Sequence, residues 1–198
     1  FATSLTKAGH NVEVVSFTLQ YPSFLFPGKT QYKKSIKSNY KFKITPLINS
    51  INPISWITTA KYIIKINPDV VLFRFWMPFF GPAFGTIAKR LSAKKIKVIG
   101  LIDNAIPHEK RIGDRRLTKY FFKYCDRFLT LRSIVSKDVI ELKNDAHVET
   151  FFHPVYNVFG SKVSREKGLS FLNLTEGKYL LFFGLIRDYK GLDLALEA

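Results

Sequence analysis

Two cations set between two glycines carry the most legible chemistry in this chain. The apolar run Tyr179 to Phe183 ends at Gly184, Arg187 and Lys190 follow in a short loop, and after Gly191 an apolar-periodic segment reads as a helix. A buried parallel strand that feeds a helix through such a turn aims backbone N–H groups and the helix dipole at one point. Basic side chains can then close over an anion held there. An ordinary strand–turn–helix with two solvated cations has the same pattern, and the residues alone leave both readings open.

A second group lies in the run Asp103-Asn104-Ala105-Ile106-Pro107-His108-Glu109-Lys110-Arg111. Pro107 stiffens it, and it offers an imidazole beside carboxylates and cations. His108 can switch charge near neutral pH or donate a hydrogen bond to a hydroxyl; alternatively it caps a helix or binds backbone. The run Trp76-Met77-Pro78-Phe79-Phe80-Gly81-Pro82 is aromatic. Trp76 can stack on a sugar ring or base, the phenylalanines can meet a lipid interface, or all can pack beneath neighbouring loops. His153-Pro154 either faces a ligand cleft or begins a crossover, and His10 is read as structural.

These groups need elements to position them. Apolar strands are expected at Val12–Phe17, Tyr40–Leu47, Val70–Phe75, Ile96–Ile102, Arg127–Leu131, Val148–Phe152 and Tyr179–Phe183. Helices are expected from Asn52-Pro53 to about Ile66, over Phe84–Ser92 and Asp114–Tyr124, and from a Ser133 cap to Leu142. A basic, aromatic-studded loop is expected over Ser23–Ser38 and a linker within residues 153–177. Near-continuous apolar strands alternating with helices imply an α/β fold with a doubly wound, Rossmann-like parallel sheet covered on both faces. Right-handed crossovers then align the strand C-termini along one edge, where ligands bind. Asp103, Asn104, Trp76 and His153 all follow strands at that edge.

Composition bounds the partners. A length of 198 residues with 46% hydrophobic content suits one domain, or one plus part of another. The lone Cys125 excludes an intrachain disulfide framework and fits a reducing compartment. Four scattered histidines give no zinc-type spacing, so no metal is expected. The formal charge is +16, and no acidic residue occurs between Glu13 and Asp69, where Lys29, Lys33, Lys34, Lys37, Lys41, Lys43, Lys61 and Lys65 all fall. Such a surface attracts polyanions, anionic lipid or phosphorylated substrates, or is simply a solvated lysine-rich face. No nucleic-acid-binding signature accompanies it, so nucleic acid is not the expected partner. No stretch reads as transmembrane.

Several segments together resemble a known family. Lys7-Ala8-Gly9-His10-Asn11-Val12-Glu13-Val14-Val15 resembles the GH-x-V-x-V junction near the start of GT-B glycosyltransferases. Asn104 to Glu109 resembles their HN-x-x-PHE segment, His153-Pro154-Val155-Tyr156 their HP-x-Y strand exit, and Leu180 to Glu197 the opening of their second domain. In order and extent the chain is similar to family 4, which is retaining and metal-independent.

The resemblance implies an acceptor-side domain over 1–160, a linker over 161–177, and the start of a nucleotide-sugar-binding domain over 178–198. It implies transfer of a sugar from a nucleotide-sugar donor to a saccharide or lipid-linked acceptor. Arg187, Lys190 and Gly184 would hold the donor diphosphate, and Asn104, Glu109, His153 and Trp76 would line the acceptor side. The family's first loop histidine corresponds here to Asp103 and its second to His108, so both are candidate catalytic groups. Many members carry arginine directly after the glycine, where this chain has Leu185. No cofactor or metal is expected. The chain is expected to be a piece of a longer protein, inactive by itself, with the donor-site glutamates beyond Ala198 and the first strand before Phe1. A cytoplasmic location, peripheral on the inner membrane face, follows from a lipid-linked acceptor. Two other classes remain: a non-catalytic basic module holding an anionic lipid or polyanion on a degenerate GT-B scaffold, and an NAD enzyme, for which no Gly-x-Gly-x-x-Gly turn is present.

Overall fold

Apolar strands joined by helices build two parallel sheets in the computed structural model, which describes residues 1–23, 40–107, 111–153, 160–184, 186 and 190–197. The chain divides into two compact units, Phe1–His153 and Pro154–Ala198. In the first unit the order is α1 (Ala2–Lys7), β1 (Glu13–Leu19), β2 (Lys43–Asn49), α2 (Pro53–Ile66), β3 (Val70–Phe75), a 3-10 turn (Pro78–Phe80) and α3 (Gly81–Ser92). It continues through β4 (Lys97–Ile102), α4 (Asp114–Phe122), β5 (Arg127–Thr130), α5 (Ser133–Leu142) and β6 (Val148–Thr150). The second unit contains α6 (Arg165–Leu172) and α7 (Leu192–Glu197). The architecture is therefore α/β and Rossmann-like, as the alternation of strands and helices implied.

Strands β3, β4, β5 and β6 lie in that order in one all-parallel sheet, while β1 and β2 form a separate parallel pair. Each crossover in the larger sheet advances by one strand in the same direction, so right-handed connections lay successive helices on the same face. Accordingly α3 packs on α4 and α4 on α5, with α2 against α3. Phe73, Phe75, Val98, Ile102 and Phe128 point into that helix layer and are buried. Leu72, Ile99, Leu101 and Leu129, turned the other way, are half-buried.

The core is built from rings. Phe84 of α3 and Phe121 of α4 pack on each other and on Phe73 and Phe75 of β3, and Phe122 packs on Phe128 of β5. Two glycines let α3 and α4 come close enough for this. A Cβ on Gly81 would lie 2.3 Å from the Leu117 carbonyl oxygen, and one on Gly85 would lie 2.5 Å from the Tyr120 ring.

Local signals explain the boundaries. The Asn52 side chain accepts the Ile54 N–H at 2.9 Å, Pro53 occupies the first turn of α2, and Asn67 ends the helix at φ 46. Pro46, which lacks an N–H, sits where the β1–β2 register slips between Ser16 and Phe17. Helix α3 begins three residues before the expected Phe84, since Pro82 suits a first turn. Ser133 is the first helical residue of α5 rather than its cap, which is the extended Arg132. The last strand closes at Thr150, leaving Phe152 fully exposed.

Residues 161–177 contain α6, capped by the Ser164 hydroxyl accepting the Lys167 N–H at 3.4 Å. One expectation for the second unit is corrected. Tyr179–Phe183 does not form a strand, and Leu180, Leu181 and Phe183 are exposed. A strand needs a neighbour for its N–H and C=O groups, and the described residues of this unit supply none. Residues 24–39, most of the expected basic loop, lie outside the described residues.

The β1–β2 pair is fastened to α2 by a polar cluster. Glu13 accepts from the Thr45 hydroxyl at 2.5 Å and the Tyr62 hydroxyl at 2.5 Å, and pairs with Lys43 Nζ at 3.2 Å. The Thr45 and Tyr62 hydroxyls first, then Lys43, hold the Glu13 carboxyl below its ordinary value of 4.5.

Two predictions follow from packing and charge. Gly81→Ala pushes a methyl into backbone and should cost about 1–3 kcal/mol of stability, read from the urea midpoint. Because the Glu13 value is depressed in the folded state, its stabilisation is present above the unfolded-state value and is lost as pH falls. Between about pH 5 and pH 3 the midpoint of the wild type should therefore fall further than that of Glu13→Gln.

Candidate active site at the carboxyl edge of the sheet

The C-terminal ends of β3, β4 and β5 bring three loop starts to one edge, as a parallel sheet must. Asp103 is fixed there twice. Its N–H donates to the Phe75 carbonyl at 2.8 Å, extending the β3–β4 ladder by one bond. Its carboxylate accepts from Arg74 Nε at 2.7 Å, and the side chain keeps 21% of its surface in solvent. An anchored carboxylate with open lone pairs can receive a hydroxyl proton or a hydrogen bond from a polyol.

Arg74 was missed by the sequence reading, although the signal was present. It is the one charged residue in Val70-Val71-Leu72-Phe73-Arg74-Phe75, and it stands next to the strand's exit. It lies on the half-buried sheet face, with its side chain mostly exposed. Here it orients Asp103 and presents its remaining N–H groups to solvent.

The aromatic loop takes the packing alternative. The Trp76 indole N–H donates to the Tyr21 hydroxyl at 2.8 Å, and its ring lies 4.6 Å from Phe80 and 6.4 Å from Phe17. Tyr21 in turn stacks on Phe79. These contacts join β1 to the 3-10 turn after β3 and leave Trp76 half-buried. Asn104 is half-buried beside the fully buried Ala105. His153 is exposed, three residues past β6. His108 and Glu109 lie outside the described residues.

A second feature of the edge also escaped the sequence reading. The Thr130 hydroxyl at the end of β5 lies 2.7 Å from that of Ser136 on α5, which lies 2.7 Å from that of Thr150 on β6. Three hydroxyls, two at the exits of β5 and β6 and one in the first turn of α5, satisfy one another and tie α5 to the sheet. Nothing in their spacing along the chain marks them.

In the second unit, Gly184 has φ 141, Gly191 has φ 62 and Lys190 between them is exposed. Arg187 lies outside the described residues. Helix α7 starts directly after Gly191, with Asp193 in its first turn.

Among the described residues no group of three or more His, Cys, Asp or Glu side chains is placed to hold a metal ion. Cys125 is buried beneath α4, and burial pushes its thiol well above the ordinary range, which removes it as a nucleophile. No described helix is long and apolar enough to cross a membrane. Comparison of the chain with protein-family models and with curated proteins gives no match.

An ion pair this exposed contributes little to folding. Arg74→Ala should shift stability by about 0.5 kcal/mol or less, measured by urea unfolding. A larger loss would mean that the pair serves the fold rather than the edge.

Proposed function

We propose that the protein is a glycosyltransferase that moves a sugar, with retention, from a nucleotide-sugar donor to a saccharide or lipid-linked acceptor. The observation that carries this reading is Asp103, a carboxylate oriented by Arg74 on the carboxyl edge of a parallel sheet. Ligands of such sheets bind at that edge. The ordered resemblance of four segments to family 4 of the glycosyltransferases adds the reaction class.

In this reading Asp103 receives hydrogen bonds from acceptor or sugar hydroxyls, with Asn104 beside it and His108 and Glu109 a few residues further along the sequence. His153 flanks the acceptor. Trp76 contributes by holding the loop after β3 through Tyr21 and Phe80 rather than by stacking on ligand. Lys190 and Arg187 answer the other half of the chemistry. A departing nucleoside diphosphate gains negative charge as the glycosidic bond breaks, and positioned cations stabilise it without a metal. Gly184 and Gly191 adopt φ values that larger residues resist.

The formal charge of +16 favours a second reading, a non-catalytic basic module that holds an anionic lipid or polyanion. The two readings part on nucleotide binding. Calorimetric titration of the full-length protein with uridine and guanosine diphosphates should show one of them binding. Lys190→Ala should weaken that affinity by roughly 2 kcal/mol, about thirtyfold. Binding of neither nucleotide, or an unchanged affinity in the variant, would overturn the transferase assignment.

A further inference from the structure

The pair that fixes Asp103 uses only part of what its two partners can bond. Arg74 Nε donates to Asp103 Oδ2 at 2.7 Å, and no other hydrogen bond or ion pair joins the guanidinium to a described residue. An arginine that only steers a carboxylate does so best with both arms of its fork, the stronger and more directional form. Here Nη1 and Nη2 stay open, and so does Asp103 Oδ1. The Arg74 side chain is 66% exposed, so a ligand can reach it. Open cationic donors and an open anionic acceptor thus sit side by side.

Position separates this pair from its neighbours. Lys97–Asp126 and Arg127–Glu149 also join elements of this sheet, at 3.8 and 3.4 Å, but Lys97 and Arg127 are the first residues of β4 and β5 and lie at the amino end. Arg74 stands one residue before the end of β3, between the buried Phe73 and Phe75, so its backbone is fixed. Among residues 76–77, 103–107, 131–132 and 151–153, which leave the four strands, Asp103 is the one acid, and Arg74 already neutralises it. Arg132 forms no ion pair with a described residue. The charge left over among these residues is positive, and it favours a substrate that brings its own anion.

We propose that Arg74 is a specificity-determining residue and that the acceptor is an anionic saccharide. A carboxylate or phosphate group lies on the Nη fork of Arg74, while a hydroxyl of the same sugar donates to Asp103 Oδ1. The role of that sugar as acceptor rests on the transferase reading; the preference for an anion goes beyond it. Because the two contacts share one ion pair, the anionic group and the hydroxyl belong to one residue, as in a uronic acid or a hexose phosphate. A neutral sugar would leave the fork to water.

The test takes the full-length protein and titrates it, without nucleotide, with glucose, glucuronic acid and glucose 6-phosphate, reading affinity by NMR. At least one of the two anions should bind about tenfold or more tightly than glucose, the gain of a charge-assisted contact. Preference for glucuronic acid alone assigns the fork to a carboxylate, and for glucose 6-phosphate alone to a phosphate. Arg74→Gln should abolish the preference, and Arg74→Lys should keep part of it, since an ammonium supplies charge without the fork. Arg132→Gln removes equal charge from the same edge and should weaken the anions by less than about threefold. Lys190→Ala should leave the preference intact, which separates it from a diphosphate contact. Equal affinity for the three sugars, no detectable binding of any, a preference that survives Arg74→Gln, or one lost in Arg132→Gln or Lys190→Ala would each overturn the proposal. Nucleotide binding decides the transferase reading separately. If neither diphosphate binds while the Arg74-dependent preference persists, that reading falls and the anion contact stands; if a diphosphate binds and the sugars show no preference, the reverse holds.

Discussion

The contact between α3 and α4 is the constraint on which the first unit depends. Gly81 and Gly85 remove two side chains from the helix interface, and the missing bulk lets Phe84 and Phe121 meet over β3. Aromatic pairs of this kind contribute about 0.5–1.5 kcal/mol each beyond the area they bury. With Phe121 fixed, Phe122 reaches Phe128 on β5, and one ring system spans the sheet from β3 to β5. The position of Asp103 follows, because its N–H bonds the end of the strand that those rings hold down.

Much of this was legible in the sequence where the causes are local. Asn52, Pro53 and Asn67 specify both ends of α2 through a side-chain cap, a preset φ and a left-handed stop. The β-branched and aromatic run of β3 reads directly as a buried parallel strand. What was not legible depends on partners far along the chain. Tyr179–Phe183 has the composition of a strand, but composition supplies no neighbouring ladder. Trp76 reads equally as a ligand platform or a packed ring, and the choice was made by Tyr21, 55 residues away.

The candidate site divides in the same way. Asp103 and Asn104 could be placed at the edge from strand order alone, since any residue following β4 must lie there. The ion pair with Arg74 could not, because it joins residues 29 apart through the β3–β4 register.

The monotonic strand order has a consequence for how the domain forms. From β3 to β6, each strand pairs with the one synthesised just before it, and each connecting helix packs on its predecessor. Each closure spans only one β–α module, so the entropy lost in each docking step stays much the same from strand to strand. A chain leaving the ribosome can therefore enlarge this sheet by one β–α module at a time. Assembly by stepwise accretion keeps each newly made apolar strand exposed only until its own helix has emerged.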